Sequence, residues 1–209
     1  MVLHPEEKQV LINTKTQNKY TMKKVIFILI SIAVSASLFS QDAAIKNNLL
    51  YDATLTPNLG LEFRTGMKNT LDVNVGFNPF TFSEGKKLKH WLVQPELRFW
   101  TCEAFNGTFI GVHAHGGEFS VANFKMPFGW LEQLQNYRYE GYFVGGGISV
   151  GHQWILSKRW TFEASIGAGY AFIEYDKYPC PDCGPKIKSD TYNYWGITKA
   201  TLSFVYFIF

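Results

Sequence analysis

Apolar and polar residues alternate with period two along most of the chain, as in strands that turn one face to an apolar environment. The clearest run is 160–172: Trp160, Phe162, Ala164, Ile166, Ala168, Tyr170 and Phe172 share one face. Thr161, Glu163, Ser165, Gly167, Gly169 and Ala171 share the other. Aromatic residues sit toward both ends of the apolar stripe, with small aliphatics between them, which is how a lipid-facing strand with two aromatic girdles reads. Leu59, Leu61 and Phe63 alternate with Gly60, Glu62 and Arg64, and Leu71, Val73, Val75 and Phe77 with Asp72, Asn74, Gly76 and Asn78. Over 90–100, Trp91, Val93, Leu97 and Phe99 oppose Gln94, Glu96 and Arg98. Pro95 lies on the apolar face there and predicts a bulge or local break, since it has no N–H for a ladder. Over 108–116, Ile110, Val112 and Ala114 oppose Gly111, His113 and His115; over 142–154, Tyr142, Val144, Ile148, Val150 and Trp154 oppose Gly145, Gly147, Ser149, Gly151 and Gln153. Segments 46–54 and 196–209 complete eight expected strands. The predicted fold is all-β, an eight-stranded antiparallel transmembrane β-barrel of outer-membrane type.

The spacing of the strands sorts their connections into two ends. Short turns are expected at 66–69, 102–107 and 157–159, on the periplasmic side if both termini lie there. The outward connections are then a short one near Thr56-Pro57, one through 83–87, and longer ones over about 121–140 and 176–193. The terminal Tyr206-Phe207-Ile208-Phe209 resembles the signal read by barrel-insertion machinery. A secreted β-sandwich would need its apolar faces to meet in a core, and it leaves the girdles and the aromatic terminus unexplained.

At the other end of the chain, Met22-Lys23-Lys24, the apolar run 25–34 and small residues through Ser40 have the tripartite order of a secretory signal peptide. That run is shorter than the roughly 20 apolar residues of a membrane-spanning helix. Residues 22–40 are therefore expected to be cleaved and 41–209 to form the barrel domain. Residues 1–21 are polar, precede the Met-Lys-Lys and are expected to be a mis-assigned N-terminal extension. The predicted location is the bacterial outer membrane.

Aromatics at 17% and 18 Gly favour β-structure. A net charge of +3 without a run of like charges gives no footprint for nucleic acid. The charges instead fall on the polar face: Lys46, Asp52, Glu62, Arg64, Asp72, Glu96, Arg98, Glu163 and Lys199. Eight strands enclose a space just wide enough for side chains, and an unpaired buried ion costs several kcal/mol. A salt-bridged plug is expected in preference to a solute pathway.

Three constellations carry candidate chemistry. Cys180-Pro181-Asp182-Cys183-Gly184 reads as a loop disulfide or reactive dithiol, or as half of a zinc site that lacks a second pair. His113 and His115 share a face, with Glu163, Glu96 or Arg98 within reach across the lumen. They suit an interior hydrogen-bond network or, alternatively, a metal or general base in a lipid A or envelope-lipid-modifying enzyme. The third outward connection carries Phe124, Phe128, Trp130, Tyr137 and Tyr139, either as anchors for a protein partner or as a lid over the barrel mouth. No cofactor is expected. Outer-membrane lipid, lipopolysaccharide and a cell-surface protein are the expected partners.

Several stretches together resemble a known family: Asn48-Leu49-Leu50-Tyr51-Asp52-Ala53, Pro57-Asn58-Leu59-Gly60-Leu61-Glu62, Lys89-His90-Trp91-Leu92-Val93-Gln94-Pro95-Glu96, Cys102-Glu103-Ala104-Phe105-Asn106-Gly107, His113-Ala114-His115-Gly116-Gly117, and Tyr175-Asp176-Lys177-Tyr178 with the Cys-x-x-Cys-Gly after it. They are similar to a family from Bacteroides-type bacteria described as a domain of unknown function (DUF3575-like). The resemblance covers essentially all of 41–209. It implies an outer-membrane barrel, often encoded near fimbrial and other cell-surface genes, and no established activity.

Overall fold

The structure, a computed structural model, describes residues 43–81, 87–122, 137–179 and 184–208. Eight antiparallel strands pair in chain order: β1 (Ala43–Asn48), β2 (Asn58–Arg64), β3 (Asn69–Asn78), β4 (Lys87–Trp100), β5 (Gly107–Ala122), β6 (Arg138–Ile155), β7 (Trp160–Tyr178) and β8 (Lys188–Phe207). β8 returns to β1 and closes the barrel, so the all-β, eight-stranded antiparallel prediction holds.

Period-two alternation places the two residue classes on opposite faces of this wall. Val112, Val144, Ile148 and Ile166 point out and are exposed, Ile148 at 66%, while Glu62 and Asp72 point in at 0%.

Turns 65–68, 101–106 and 156–159 share one end with the start of β1 and the end of β8; the strand ends that flank 49–57, 79–86, 123–137 and 179–187 lie at the other. Toward that second end the wall rises from six residues in β1 to 20 in β8. This corrects two expected boundaries. The third connection is 123–137 rather than 121–140, and the fourth 179–187 rather than 176–193. Past the apolar stripe Glu174, Asp176 and Asp190 blur the alternation, while ladder pairs such as Tyr139↔Lys177 and Glu174↔Thr191 continue.

The expected strand over 46–54 is also corrected. β1 stops at Asn48, whose extended backbone and side-chain bond to the Leu50 N–H (3.2 Å) cap a short helix, α1 (Leu49–Ala53). Leu55, at φ 54°, turns the chain out of the helix. Asp52 is consequently exposed on α1 and accepts from Asn58 Nδ2 at 2.9 Å, so it is not a luminal residue.

Pro95 produces the local break rather than a bulge. The β4–β5 ladder skips Gln94 and Pro95 between Val93↔Gly116 and Glu96↔His113 and resumes in the same register. The register shift lies instead in the β7–β8 ladder at Gly167/Ala168, and it leaves Thr198 as an extra residue on β8. Thr198 and Lys199 both turn inward. Before the shift Thr201 and Ser203 take the inner face, and beyond it Gly196 and Tyr194 do.

At the short-turn end the interior is apolar. Ala44, Trp100, Ala104, Phe105, Phe109 and Val205 form a buried cluster with Phe207 against it. The Trp100 and Phe109 rings lie 4.8 Å apart, and Phe105 meets Phe207 edge-on at 5.3 Å. Phe105 reaches this plug from a turn by adopting φ 67°.

Candidate functional site

The feature that organises the lumen is a network of buried charges at mid-barrel, supplied by six strands of the ring. Arg98 on β4 has five N–H groups, and each has a carboxylate. Nε donates to Glu96 (2.6 Å), NH1 to Glu62 and Glu163 (2.9 Å each), and NH2 to Asp72 (2.7 Å) and Glu163 (3.0 Å). The planar guanidinium fork makes this possible where an ammonium, with three donors, could not. Its face also lies over the Phe109 ring at 4.3 Å.

Lys46 from β1 crosses to Glu163 (2.6 Å) and pairs with Glu62. Lys199 from β8 crosses to Glu96 (2.7 Å). Neutral groups add further donors: Thr70 to Glu62, Asn74 to Asp72 Oδ2 (2.6 Å), Ser149 to Glu96 and Gln153 to Glu163 (2.6 Å), while Asp72 Oδ1 has no hydrogen bond and faces the Lys46 ammonium at 3.7 Å. Three cations thus face four carboxylates, all seven nearly inaccessible to solvent. Such dense pairing is what offsets the desolvation of that many ions. Arg64, one inward position beyond Glu62, lies 5.9 Å over the Phe105 ring.

The network and the aromatic plug below it occupy consecutive levels of the lumen. Toward the long-connection end the inward positions change character. Asn74, Gly145, Gly147, Gly169 and Gly196 are only half-buried there.

The two histidines sit between these regions. Both point inward, with ring centroids 5.7 Å apart. His113 Nε2 is 2.9 Å from the Thr198 hydroxyl that the β8 bulge turns inward, and the Thr198 carbonyl accepts from Gln94 Nε2 at 3.2 Å. The Nδ1 atoms of both rings are buried without a hydrogen-bond partner. Glu163 is committed to Arg98, Lys46 and Gln153, so the expected His–Glu163 arrangement is not the one formed. Among the described residues no group of three or more His, Cys, Asp or Glu is placed to hold a metal ion.

At the long-connection end, aromatic and cationic side chains gather on the rim of β6 and β7. Lys177 Nζ lies 3.6 Å from the Tyr137 ring centroid and Arg138 4.2 Å over Tyr178. Tyr139 contacts Tyr175 at 5.6 Å. Tyr139, expected in a loop, is therefore a buried residue of β6, because pairing with β7 persists to the rim. Phe124, Phe128 and Trp130, and Cys180 and Cys183, lie outside the described residues. Cys102 is exposed in the turn after β4 with a free thiol.

Two elements of the site have little sequence signal. Thr198 occupies an ordinary position in an alternating segment, and only the loss of phase from Lys199 to Tyr194 hints at a bulge. Asn48 is the other: its side chain accepts from the Leu202 N–H (3.1 Å) and donates to the Ala200 carbonyl (3.3 Å), ending the β1–β8 ladder where β1 leaves it. Asn followed by Leu-Leu-Tyr-Asp is a recognisable helix start, but the alternation around it argues for strand.

Comparison with curated proteins and with solved structures finds no match. The family described as "Protein of unknown function (DUF3575)" matches residues 25–208, most of the chain, and the protein belongs to that family.

Proposed function

We propose that this protein is an exported outer-membrane barrel, sealed to solutes, that acts as a non-enzymatic anchor and engages a cell-surface protein through its long-connection end. The observation that carries the reading is the inversion of the wall: apolar outside, with an ion network closed around Arg98 inside.

The outer belt supports membrane residence in its dimensions as well. One aromatic row holds Trp154, Trp160, Phe162, Phe204 and Tyr206, with ring contacts of 4.9–6.0 Å. The other holds Tyr170 and Trp195 at 4.9 Å. Along β7 the rows are separated by the ten-residue step from Trp160 to Tyr170. At about 3.3 Å per residue and a tilt of about 40°, this spans about 25 Å of barrel axis, the height of the apolar band in outer-membrane barrels. The Met-Lys-Lys, apolar and small-residue order of 22–40 supports export. In this setting the outer wall contacts outer-membrane lipid and lipopolysaccharide.

Sealing argues against a channel, and the rim supplies the Tyr and Arg chemistry typical of protein interfaces: Tyr137, Arg138 and Tyr178. The test is extraction of the tagged protein from its own outer membrane in mild detergent. A heat-modifiable band, no conductance in planar bilayers and a stoichiometric surface protein are expected. Replacing 124–136 with a short Gly-Ser linker should release that partner and leave the band unchanged. Recovery of a lone barrel, or an ohmic conductance, refutes the anchor reading.

A further inference from the structure

We infer that the outer wall carries a built site for one acyl chain of a bilayer phospholipid, lying across β8, β7 and β6 beside α1, with the lipid headgroup at the Thr108–His152 pair. The inference rests on the reading above that this wall faces a bilayer.

The site begins at the seam between β8 and β1. Continued in register, Leu49 would meet Leu202 and Thr56 would meet Trp195. The chain turns into α1 instead, and Asn48 caps the exposed ladder groups of β8. What would have been flat wall is thus a projecting helix beside a strand, and Leu50 stands over a groove of about 410 Å³. That volume is within the range of about 300–1,000 Å³ found for small-molecule sites.

Pairing registers show how the groove is made. Leu202, Ala164, His152 and Thr108 form one outward row across β8, β7, β6 and β5; Ala200, Ile166 and Val150 form the next. Ala164 and Ala200 are the low points of the floor, and Leu202, Ile166, Val150 and Leu50 are its walls. From β8 to β5 is three inter-strand steps, about 14 Å. The groove is a trough rather than a pit, and it suits a linear chain.

Its far end is polar on a face that is otherwise apolar. The Thr108 hydroxyl and His152 Nδ1 share a 2.8 Å hydrogen bond, and the His152 ring lies 4.7 Å from Trp154 in the aromatic row. With Thr108 O–H donating to Nδ1, Nε2–H is left as a donor for a phosphate or ester oxygen. A polar donor at the aromatic row and an alkyl trough leading from it toward the middle of the belt match the two halves of a phospholipid.

The experiment is native mass spectrometry of the delipidated barrel titrated with dipalmitoyl phosphatidylethanolamine. One lipid per chain should be retained at activation energies that strip the rest. Ala164→Phe and Leu50→Ala should each lower its occupancy about tenfold, by filling the trough or removing its rail. His152→Ala should lower it severalfold and weaken the preference for that lipid over a headgroup-free diacylglycerol. Leu50 lies outside the barrel wall, so its variant tests the site even if Ala164→Phe fails to fold. No retained lipid on a heat-modifiable wild-type barrel, or equal occupancy in the wild type and Leu50→Ala, overturns this inference alone. A wild-type protein that is water-soluble and not heat-modifiable overturns the membrane reading and the site with it.

Discussion

Replacing Arg98 with Met removes the hub of the luminal network at nearly constant length. The wild-type network holds three cations against four carboxylates; the variant leaves Lys46 and Lys199 against the same four. Glu62, Glu96, Asp72 and Glu163 each lose a charged hydrogen bond, and none can turn to water, since all are buried. Removing one partner of a buried ion pair costs about 3–5 kcal/mol, and the lost contact with Phe109 adds about 0.5–2 kcal/mol. Against a typical stability of about 5–15 kcal/mol, that is a large fraction. Urea titration of the barrel in phospholipid vesicles, followed by tryptophan fluorescence and heat-modifiable migration, measures the loss. Arg98→Met combined with Glu163→Gln restores the formal balance to one excess carboxylate and should recover at least half of the deficit. An Arg98→Met barrel within about 0.5 kcal/mol of the wild type, the range of an ordinary surface substitution, refutes the reasoning. So does a double variant no better than the single one.

Three further outcomes follow from the wall and its turns. Asn48→Leu strips the caps from the Leu202 N–H and the Ala200 carbonyl, with a cost of about 1–3 kcal/mol and faster hydrogen exchange at the Leu202 amide, read by NMR in micelles. Gly169→Ala puts a Cβ 2.1 Å from the Gly146 carbonyl oxygen, a backbone atom that cannot step aside, and should lower stability by about 1–3 kcal/mol in the same urea titration. Gly66→Ala, with its nearest neighbour at 3.7 Å, should change it by less than about 0.5 kcal/mol.

Residues 160–172 show why so much of the barrel is readable from the chain. One strand with a strict alternation assigns every side chain to a face, and a strand cannot slip by one residue without exchanging the faces. The inward placement of Glu62, Asp72, Glu96, Arg98, Glu163 and Lys199 follows from parity alone. Parity is blind where local chemistry overrides it. Asn48 and Asp52 sit in an alternating segment, yet the Asn48 side chain starts a helix there, and Asp52 leaves the lumen with it. Past Phe172 both faces become polar, so the ladders of β6, β7 and β8 outrun the pattern that announces them.

Composition and alternation settle the strand number, the hand-off of apolar residues to the outside and, Asp52 apart, which charged residues of the strands turn inward, because each depends on a residue and its near neighbours in the chain. The choice of partners among those charges depends on contacts between residues as far apart as Lys46 and Glu163, and barrel closure is what brings them together. The β8 bulge that delivers Thr198 to His113, the Phe105 plug and the α1 seam depend on register and on how side chains fill a closed lumen. Pattern along one strand carries no record of that packing, since the same alternation permits many registers and only the closed ring selects one.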